Sequence, residues 1–196
     1  MRQISAHYCL LPDGSLAKMP VISVDENGVI NEVKLLGDGF IEEHGVELYG
    51  GVLIPGFIED FRDVIFGNDV ADFSKRVNRM FAKGSLRYLC NSENTIFPKP
   101  FKGVVFYDNS NKAIERIRKM PDRSTWDEIQ RWNPEGNKNI IQLIHNYSIG
   151  MRDAIPEELK WGSLEVGANP GILLVKGLDY NGMKLQENTT IKVIIL

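Results

Sequence analysis

The length, composition and charge of this sequence are those of a globular protein. Its 196 residues are 43% hydrophobic and 25% charged, which is enough for one domain with a substantial core or for two small domains. The formal net charge is −3, and lysine and arginine are scattered among the acidic residues. Because no basic stripe results, we expect neither nucleic acid nor a membrane surface as a partner.

The N-terminus and the cysteines favour a cytoplasmic protein. The first residues lack the sustained apolar segment of a signal peptide, and no apolar run approaches the roughly 20 residues of a membrane span. Cys9 and Cys90 are far apart in a chain too large to need disulfides, so we interpret both as reduced thiols. A disulfide between them is the less favoured alternative.

The beginning of the chain has the pattern of β-strands. Apolar and polar residues alternate over three segments that are separated by turn residues, namely 3–11, 19–25 and 28–36. Asn27-Gly28 supplies the positive φ angles of a tight hairpin turn. At the other end, apolar residues predict two further strands, over 171–175 and 189–196.

The middle of the chain has mainly helical patterns. Apolar residues recur at helical spacing, or capping residues occur, in four segments, namely 68–83, 109–120, 124–132 and 139–151. Ser124 begins the third of these with overlapping capping-box options. Residues 102–107 form a short apolar run that predicts one buried strand.

A stretch from Gly50 to Asp63, GGVLIPGFIEDFRD, links the N-terminal strands to this middle part. It resembles the start of the barrel in the amidohydrolase superfamily, where PG(F/L)(I/V)(D/N) is followed by one spacer and His-x-His. On that pattern Glu59 takes the Asp/Asn position, while Phe61 and Asp63 stand where the two metal-binding histidines belong. They are therefore degenerate metal-site positions.

The tail carries a second resemblance to the same superfamily. Residues 162–167, GSLEVG, match the start of the C-terminal signature GS(I/L)E(V/P)GK-x-AD(L/I)VL, in which the chain leaves the barrel and rejoins a sandwich made by its own N-terminal strands. Ala168 replaces the common lysine, and Pro170-Gly171 replaces the usual Ala-Asp. Both signatures occur in the expected order, so the resemblance implies descent from an amidohydrolase-like protein.

Length argues against a complete barrel. Residues 58–161 number 104, whereas a (β/α)8 TIM barrel needs roughly 200 or more residues. We therefore predict a mixed α+β fold with a discontinuous antiparallel β-sandwich, the composite domain of metal-dependent hydrolases, formed by residues 1–57 and 162–196. A reduced, mainly helical insert of residues 58–161 would replace the full barrel and keep at most one or two of its strands.

The chemistry of the superfamily depends on one or two divalent metals that activate water. This chain has three histidines, and no two have a ligand-like spacing. We predict no catalytic, cofactor-binding or metal-binding residue and no cofactor. In the alternative, Glu59 and Asp63 form a carboxylate site for a divalent metal such as Mg²⁺ or Zn²⁺. Our preferred interpretation is that Glu59, Asp60 and Asp63 are solvated loop acids.

Other residues that could carry chemistry have simpler interpretations. His7 and Cys9 could share a strand face as part of a metal site, but a half-buried face is the commoner explanation. Cys90 and His145 could be a nucleophile and its base, but nothing in the sequence brings them together. We expect a structural thiol and a hydrogen-bonded, partly buried histidine. Three tryptophans are predicted to pack in a core or an interface: Trp126, Trp132 and Trp161.

These observations favour a catalytically inactive amidohydrolase-like protein, a pseudoenzyme that acts as a binding or self-associating module. A homodimer would cover apolar faces that lost their neighbours when the barrel shrank. The alternative is a divergent metal-dependent hydrolase of non-peptide carbon–nitrogen bonds. A third possibility is a decayed protein without a selected activity. The sequence identifies no small-molecule ligand.

Overall fold

The computed structural model describes residues 1–36, 39, 44–61, 70–90, 105–108, 123–133, 139–149, 151 and 155–196. Within them the fold is mixed α/β and mainly β. The ten strands are β1 (Arg2–Leu10), β2 (Leu16–Lys18), β3 (Pro20–Val24), β4 (Ile30–Leu35), β5 (Val46–Pro55), β6 (Phe57–Asp60), β7 (Ser85–Cys90), β8 (Val105–Asp108), β9 (Ile172–Lys176) and β10 (Thr190–Ile195). The three α-helices are α1 (Val70–Phe81), α2 (Thr125–Arg131) and α3 (Ile140–Ile149).

The larger sheet has seven strands that come from the two ends of the chain. Their order is β10-β9-β5-β1-β3-β4, and β2 pairs with the far end of β1. Strands β1 and β5 are parallel, whereas every other described pairing in this sheet is antiparallel. The prediction of a purely antiparallel arrangement is therefore wrong, because β5 enters the sheet beside β1 in the same direction.

A bulge in β5 aligns its second half with the core. Ala6 faces Tyr49 and Tyr8 faces Val52, so β5 contains one more residue than β1 between these pairs. Gly51 in the bulge has a φ of 147°, and a Cβ atom there would lie 2.4 Å from the carbonyl oxygen of Val175. Only glycine fits this conformation and this approach. Beyond the bulge every residue of β5 is buried.

The smaller sheet has three parallel strands in the order β6-β7-β8, and α1 lies between β6 and β7 in the chain. Two expectations about this part need correction. Strand β7 was not predicted, because Arg87 interrupts its short apolar run. The insert of residues 58–161 was expected to keep at most one or two strands. It contains β7 and β8, and β6 begins one residue before it, at Phe57, so three parallel strands belong to this part. The strand predicted over 102–107 is confirmed as β8 for residues 105–107, and residues 102–104 lie outside the described residues.

One apolar cluster joins the two sheets. It combines Val52 and Leu173 of the larger sheet and Phe57 of the smaller sheet with Trp126 of α2 and Ile144 of α3. Strands β5 and β6 are separated only by Gly56, so the chain passes directly from one sheet to the other. Two features stay predictions. They are the division into domains at residues 57 and 162 and the sandwich form of the larger sheet.

Local signals at the helix ends are confirmed where the structure describes them. Ser124 and Asp127 form a capping box at the start of α2. Asn139 accepts a hydrogen bond from the amide of Ile141 at the start of α3. Gly84, with a φ of 86°, follows the end of α1. The helix predicted over 109–120 lies outside the described residues. No described helix is long and apolar enough to cross a membrane.

Candidate functional site at the end of strand β6

The two sequence signatures meet in space. The amide of Gly56, in the first signature, donates a hydrogen bond of 3.0 Å to the carbonyl oxygen of Gly171, which takes the Asp position of the second. A Cβ atom at residue 56 would lie 2.5 Å from the carbonyl oxygen of Pro170, so glycine is needed for this close approach. Ile30 exchanges two backbone hydrogen bonds of 2.8 Å with the 167–168 segment. The tail therefore docks beside both β4 and the start of β6.

Strand β6 directs alternate residues towards the helices α1 and α2. Phe57 stacks on Trp126 of α2, with ring centroids 6.3 Å apart. Phe61, just after β6, is 2% exposed and lies against Phe73 of α1 and Tyr88 of β7, at centroid distances of 6.1 and 5.4 Å. Phe61 is at the first histidine position of the family pattern, and its ring forms part of an apolar cluster.

Glu59 lies between these two aromatic residues and is also buried, at 1% exposure. Its Oε1 atom accepts hydrogen bonds of 2.5 Å from the Ser85 hydroxyl and 2.8 Å from the backbone amide of Thr125. The interpretation of Glu59 as a solvated loop acid is wrong, because the residue belongs to a strand that α2 covers. The carboxylate instead joins β6, β7 and the first turn of α2.

A second buried carboxylate lies near Glu59. Glu128 of α2 is 6% exposed, and its Oε1 atom lies 3.6 Å from Nη1 of Arg123. Burial raises the pKa of the Tyr147 phenol, and the charges of Glu128 and Glu59 raise it further. Burial and the charge of Glu59 also raise the pKa of Tyr88. Two phenols are thus kept protonated beside two acids in a part of the core that is unusually polar.

The described residues do not fit the metal centre of the family. Phe61 has no donor atom, and Glu59 already accepts two hydrogen bonds. No group of three or more histidine, cysteine, aspartate or glutamate side chains that could hold a metal ion occurs in the described part of the chain. Asp63 lies outside the described residues, so the carboxylate site that combines it with Glu59 stays a prediction.

His7 and Cys9 do not share one environment. Cys9 is fully buried, and burial raises the pKa of its thiol to about 12, which disfavours a thiolate ligand or nucleophile. His7 is exposed and its ring makes an edge contact with Tyr180, at a centroid distance of 5.9 Å. The interpretation of a common half-buried face is therefore wrong for both residues.

Cys90 and His145 lie in different surroundings. Cys90 is in no disulfide and is buried in the apolar cluster of Phe61 and Phe73. His145 is partly buried, with Nε2 3.2 Å from the carbonyl oxygen of Pro12. Both expectations are confirmed. The Cys90 thiol packs among apolar side chains, and the His145 imidazole has a backbone hydrogen-bond partner.

The tryptophans divide into two groups. Trp126 and Trp161 are each 4% exposed and pack in the core, as predicted. Trp132, which follows α2, is 57% exposed, so core packing is wrong for this residue. Its role in an interface stays a prediction.

Sequence reasoning missed Arg87 of β7, which joins the smaller sheet to the segment before β9. Its guanidinium donates to the carbonyl oxygen of Asn169 at 2.8 Å and to the side-chain oxygen of the same residue at 2.9 Å. It also lies over the Trp161 ring, 5.8 Å from the centroid. Asn169 in turn donates to the carbonyl oxygen of Asn27 at 3.0 Å. Burial lowers the pKa of Arg87 to about 10.

A single arginine within the apolar run of residues 85–90 was the signal that could have revealed this junction. A buried arginine needs acceptors, and backbone carbonyls of a neighbouring segment can supply them. Arg87 also lies at the wall of a cleft of about 510 Å³ between the β3–β4 turn and the end of β10. Its donors bond to Asn169 rather than being held open for a ligand.

The comparisons with known proteins give limited matches. No family profile and no curated protein matches the sequence. Among solved structures, the chain is similar to an N-acetyl-D-glucosamine-6-phosphate deacetylase from Mycobacterium smegmatis, with 18% identity and a TM-score of 0.35 over 46% of this chain and 26% of that one. It is similar to a Xaa-Pro dipeptidase with bound methionine, with 14% identity and a TM-score of 0.33 over 46% of this chain and 26% of that one.

A third solved structure, of an amidohydrolase, has 14% identity and a TM-score of 0.33 over 68% of this chain and 43% of that one. The chain thus spans less than half the length of each of these three structures. The likeness to each of these enzymes covers only part of this chain and part of the enzyme.

Proposed function

We propose that this protein is an amidohydrolase-like pseudoenzyme that acts as a binding or self-associating module. In this proposal the seven-stranded sheet is the composite β-sandwich domain of residues 1–57 and 162–196, and residues 58–161 are the remnant of the barrel. The two signatures support the proposal, because the Gly56–Gly171 hydrogen bond brings them together at the point where the chain passes between the sheets.

The environment of Phe61 is the observation that carries the functional part. A phenyl ring packed between Phe73 and Tyr88 occupies a position where metal chemistry would need an imidazole. Glu59, two residues before it, is held by Ser85 and by the first turn of α2. Glu59 joins β6 and β7 to α2, whereas Phe61 packs between α1 and β7. These contacts support structural roles for the two positions that would serve hydrolysis in the superfamily.

Metal content is the direct test. We expect protein purified without chelator to contain less than about a tenth of an equivalent of any divalent metal, against the one or two that metal-assisted hydrolysis requires. Elemental analysis of the full chain measures this, and a parallel sample dialysed against Mg²⁺ and Zn²⁺ serves as the control for metal lost during purification. One equivalent or more in either sample would contradict the proposal and support the alternative of a divergent hydrolase of carbon–nitrogen bonds.

Self-association is tested separately. Trp132 is 57% exposed and is a large apolar side chain at the surface, of the kind that interfaces bury. We expect sedimentation velocity to reveal a homodimer and Trp132→Gln to weaken it. The matched control is Tyr180→Gln, which removes an aromatic residue that is 39% exposed elsewhere on the surface. A monodisperse monomer at all concentrations would contradict self-association. The proposal would then be restricted to a module that binds another molecule.

A further inference from the structure

A basic groove lies between the ends of α1 and α2. Its walls are the side chains of Arg79, Lys83, Arg123, Asp127 and Arg131, and its volume is about 510 Å³. The groove is shallow and open to solvent. Four of the five residues are cations, although the whole chain has a formal net charge of −3. The fold therefore concentrates positive charge at one place on an acidic protein.

One of these cations is neutralised within the groove. The ammonium of Lys83 bonds to Oδ1 of Asp127. The other oxygen of Asp127 accepts from the backbone amide and the hydroxyl of Ser124, at 3.1 and 2.8 Å. Both oxygens of the carboxylate therefore already accept hydrogen bonds, from Lys83 and from the capping box of α2. Among the described residues, no arginine of the groove forms a hydrogen bond or an ion pair with Asp127.

Arg123 is paired only loosely. Its Nη1 atom lies 3.6 Å from Oε1 of Glu128, beyond hydrogen-bond distance. Both atoms are buried and neither has a hydrogen-bond partner in the described part of the structure. The side chain of Arg123 as a whole is 40% exposed, so the remaining guanidinium nitrogens can contact a ligand from solvent.

Arg79 and Arg131 are exposed, and neither forms a hydrogen bond or an ion pair with any other described side chain. Each belongs to the last turn of its helix, α1 or α2, where positive charge stabilises the helix dipole. The dipole accounts for one arginine at each helix end. It does not account for their meeting across one groove together with Lys83 and Arg123.

We propose that this groove binds a small molecule that carries two or more phosphate groups. Guanidinium groups bind phosphate oxygens through paired hydrogen bonds, which makes arginine the preferred residue for such ligands. Two arginines without a partner among the described residues, and a loosely paired third, provide donors from both walls of the groove. Neither Glu59 nor Phe61 lines the groove, so the proposal does not depend on the pseudoenzyme assignment.

The test uses the full chain and inorganic tripolyphosphate as the probe. Isothermal titration calorimetry at low salt should detect binding, and raising NaCl from about 50 to about 200 mM should weaken it, as for other binding dominated by phosphate charge. Sulfate at matched ionic strength is the control for general anion binding. Monophosphate should bind about tenfold more weakly than tripolyphosphate, because it can occupy the donors of only one wall.

Substitutions then locate the site. Arg79→Gln and Arg131→Gln should each weaken tripolyphosphate binding about tenfold, since each removes a charge-assisted, paired contact. Arg131→Lys should restore part of the affinity, because it keeps the charge and loses the planar fork. Lys75→Gln is the matched control, since Lys75 is exposed on α1 outside the groove and its loss changes the net charge equally. It should change the affinity less than about twofold.

Several outcomes would overturn the proposal. They are the absence of binding at low salt, equal affinity for sulfate, and an equal loss of affinity in Lys75→Gln. Tighter binding to a short single-stranded DNA or to vesicles of anionic lipid would replace the small molecule by a macromolecular partner. Circular dichroism melts of the variants distinguish lost contacts from lost folding, and the exposed positions of Arg79 and Arg131 predict melts like that of the parent.

Discussion

The two sheets of this protein bury different kinds of side chain. The seven-stranded sheet buries mainly apolar side chains, such as Leu53, Ile54 and Leu173, and the polar side chains buried in its strands, Ser5 and Ser23, are uncharged. All three charged residues that are buried within the described chain lie instead in the three-stranded sheet and its helix α2. They are Glu59, Arg87 and Glu128.

This difference indicates that the two sheets are stabilised in different ways. Apolar burial is non-directional and roughly proportional to area, so the larger sheet depends on volume and packing. A buried charge is favourable only with its particular hydrogen-bond partners, so the smaller sheet depends on specific pairs such as Glu59 with Ser85. Substitutions in the two sheets should therefore lower the free energy of unfolding for different reasons, namely lost packing in the larger sheet and lost hydrogen bonds in the smaller one.

The largest effect is expected in the apolar sheet. Leu53→Ala should lower the free energy of unfolding by about 4 kcal/mol, because it removes buried methyl groups and leaves a cavity. Leu48→Ala on the same strand is the control, since Leu48 is 46% exposed and its loss should cost no more than about 0.5 kcal/mol. Urea denaturation measures both. Equal effects at the two positions would contradict the burial pattern of β5.

The second largest effect is expected for Arg87→Met. It should lower the free energy of unfolding by about 3 kcal/mol, because the carbonyl and side-chain oxygens of Asn169 lose their charged donor. Methionine keeps most of the apolar stem, so the loss reports the hydrogen bonds. Lys176→Met, at an exposed position of β9, controls for the charge change. Replacing buried ions by apolar residues is neutral in some proteins. A neutral result here would mean that the polar part of the core is not held by specific pairs.

Glu59 provides a graded test of the same idea. Glu59→Ala leaves the Ser85 hydroxyl and the Thr125 amide without their acceptor, so we expect the free energy of unfolding to fall by about 2 kcal/mol. Glu59→Gln retains the Oε1 acceptor and should lose about 1 kcal/mol. Hydrogen exchange of the α2 amides, compared with those of β9, localises the change. If alanine and glutamine cost the same, the carboxylate oxygen is not what holds α2 on the sheet.

The smallest effect is expected at the surface of the larger sheet. Arg2 lies 2.7 Å from Glu47, and its hydrogen bonds, with that of Tyr49, lower the pKa of Glu47 to about 2. The pair is largely exposed, at 45% and 42%, so solvent screening limits its contribution to about 0.5 kcal/mol. Because the folded-state pKa is depressed, the contribution is present above the ordinary pKa of 4.5 and is lost as the pH falls towards 2.

Denaturation of the parent and of Arg2→Gln, as a function of pH, checks this sign. The difference between the two proteins should be constant from pH 7 to about pH 5 and should vanish near pH 2. Added salt should reduce it at neutral pH. A difference that grew as the pH fell would contradict the assigned partner.

Much of the larger sheet follows from the sequence, because alternation and turn residues are local signals. The predicted strands correspond to β1, β3, β4, β9 and β10, and Ser124 correctly marks the start of α2. The parallel pairing of β1 with β5 was missed. Strand pairing joins residues that are distant in the chain, and the periodicity of each strand is the same in either direction.

The candidate site was predicted less well, for a related reason. The sequence singled out Glu59 and Phe61 by their positions in a motif and expected an exposed acid at residue 59. Burial of that carboxylate depends on Ser85 and Thr125, which are 26 and 66 residues away. Nothing local to residue 59 reveals these donors, so an acidic side chain was assigned to solvent on composition alone.

The sequence by itself determined the resemblance of the two signatures and the helix and strand signals, because these depend on residue type and short spacing. Tertiary structure alone decided that Glu59 and Arg87 are buried, and that Arg79 and Arg131 line one groove. These features need partners from other segments. A charge acquires a role from its neighbours in space, and linear spacing does not specify those neighbours.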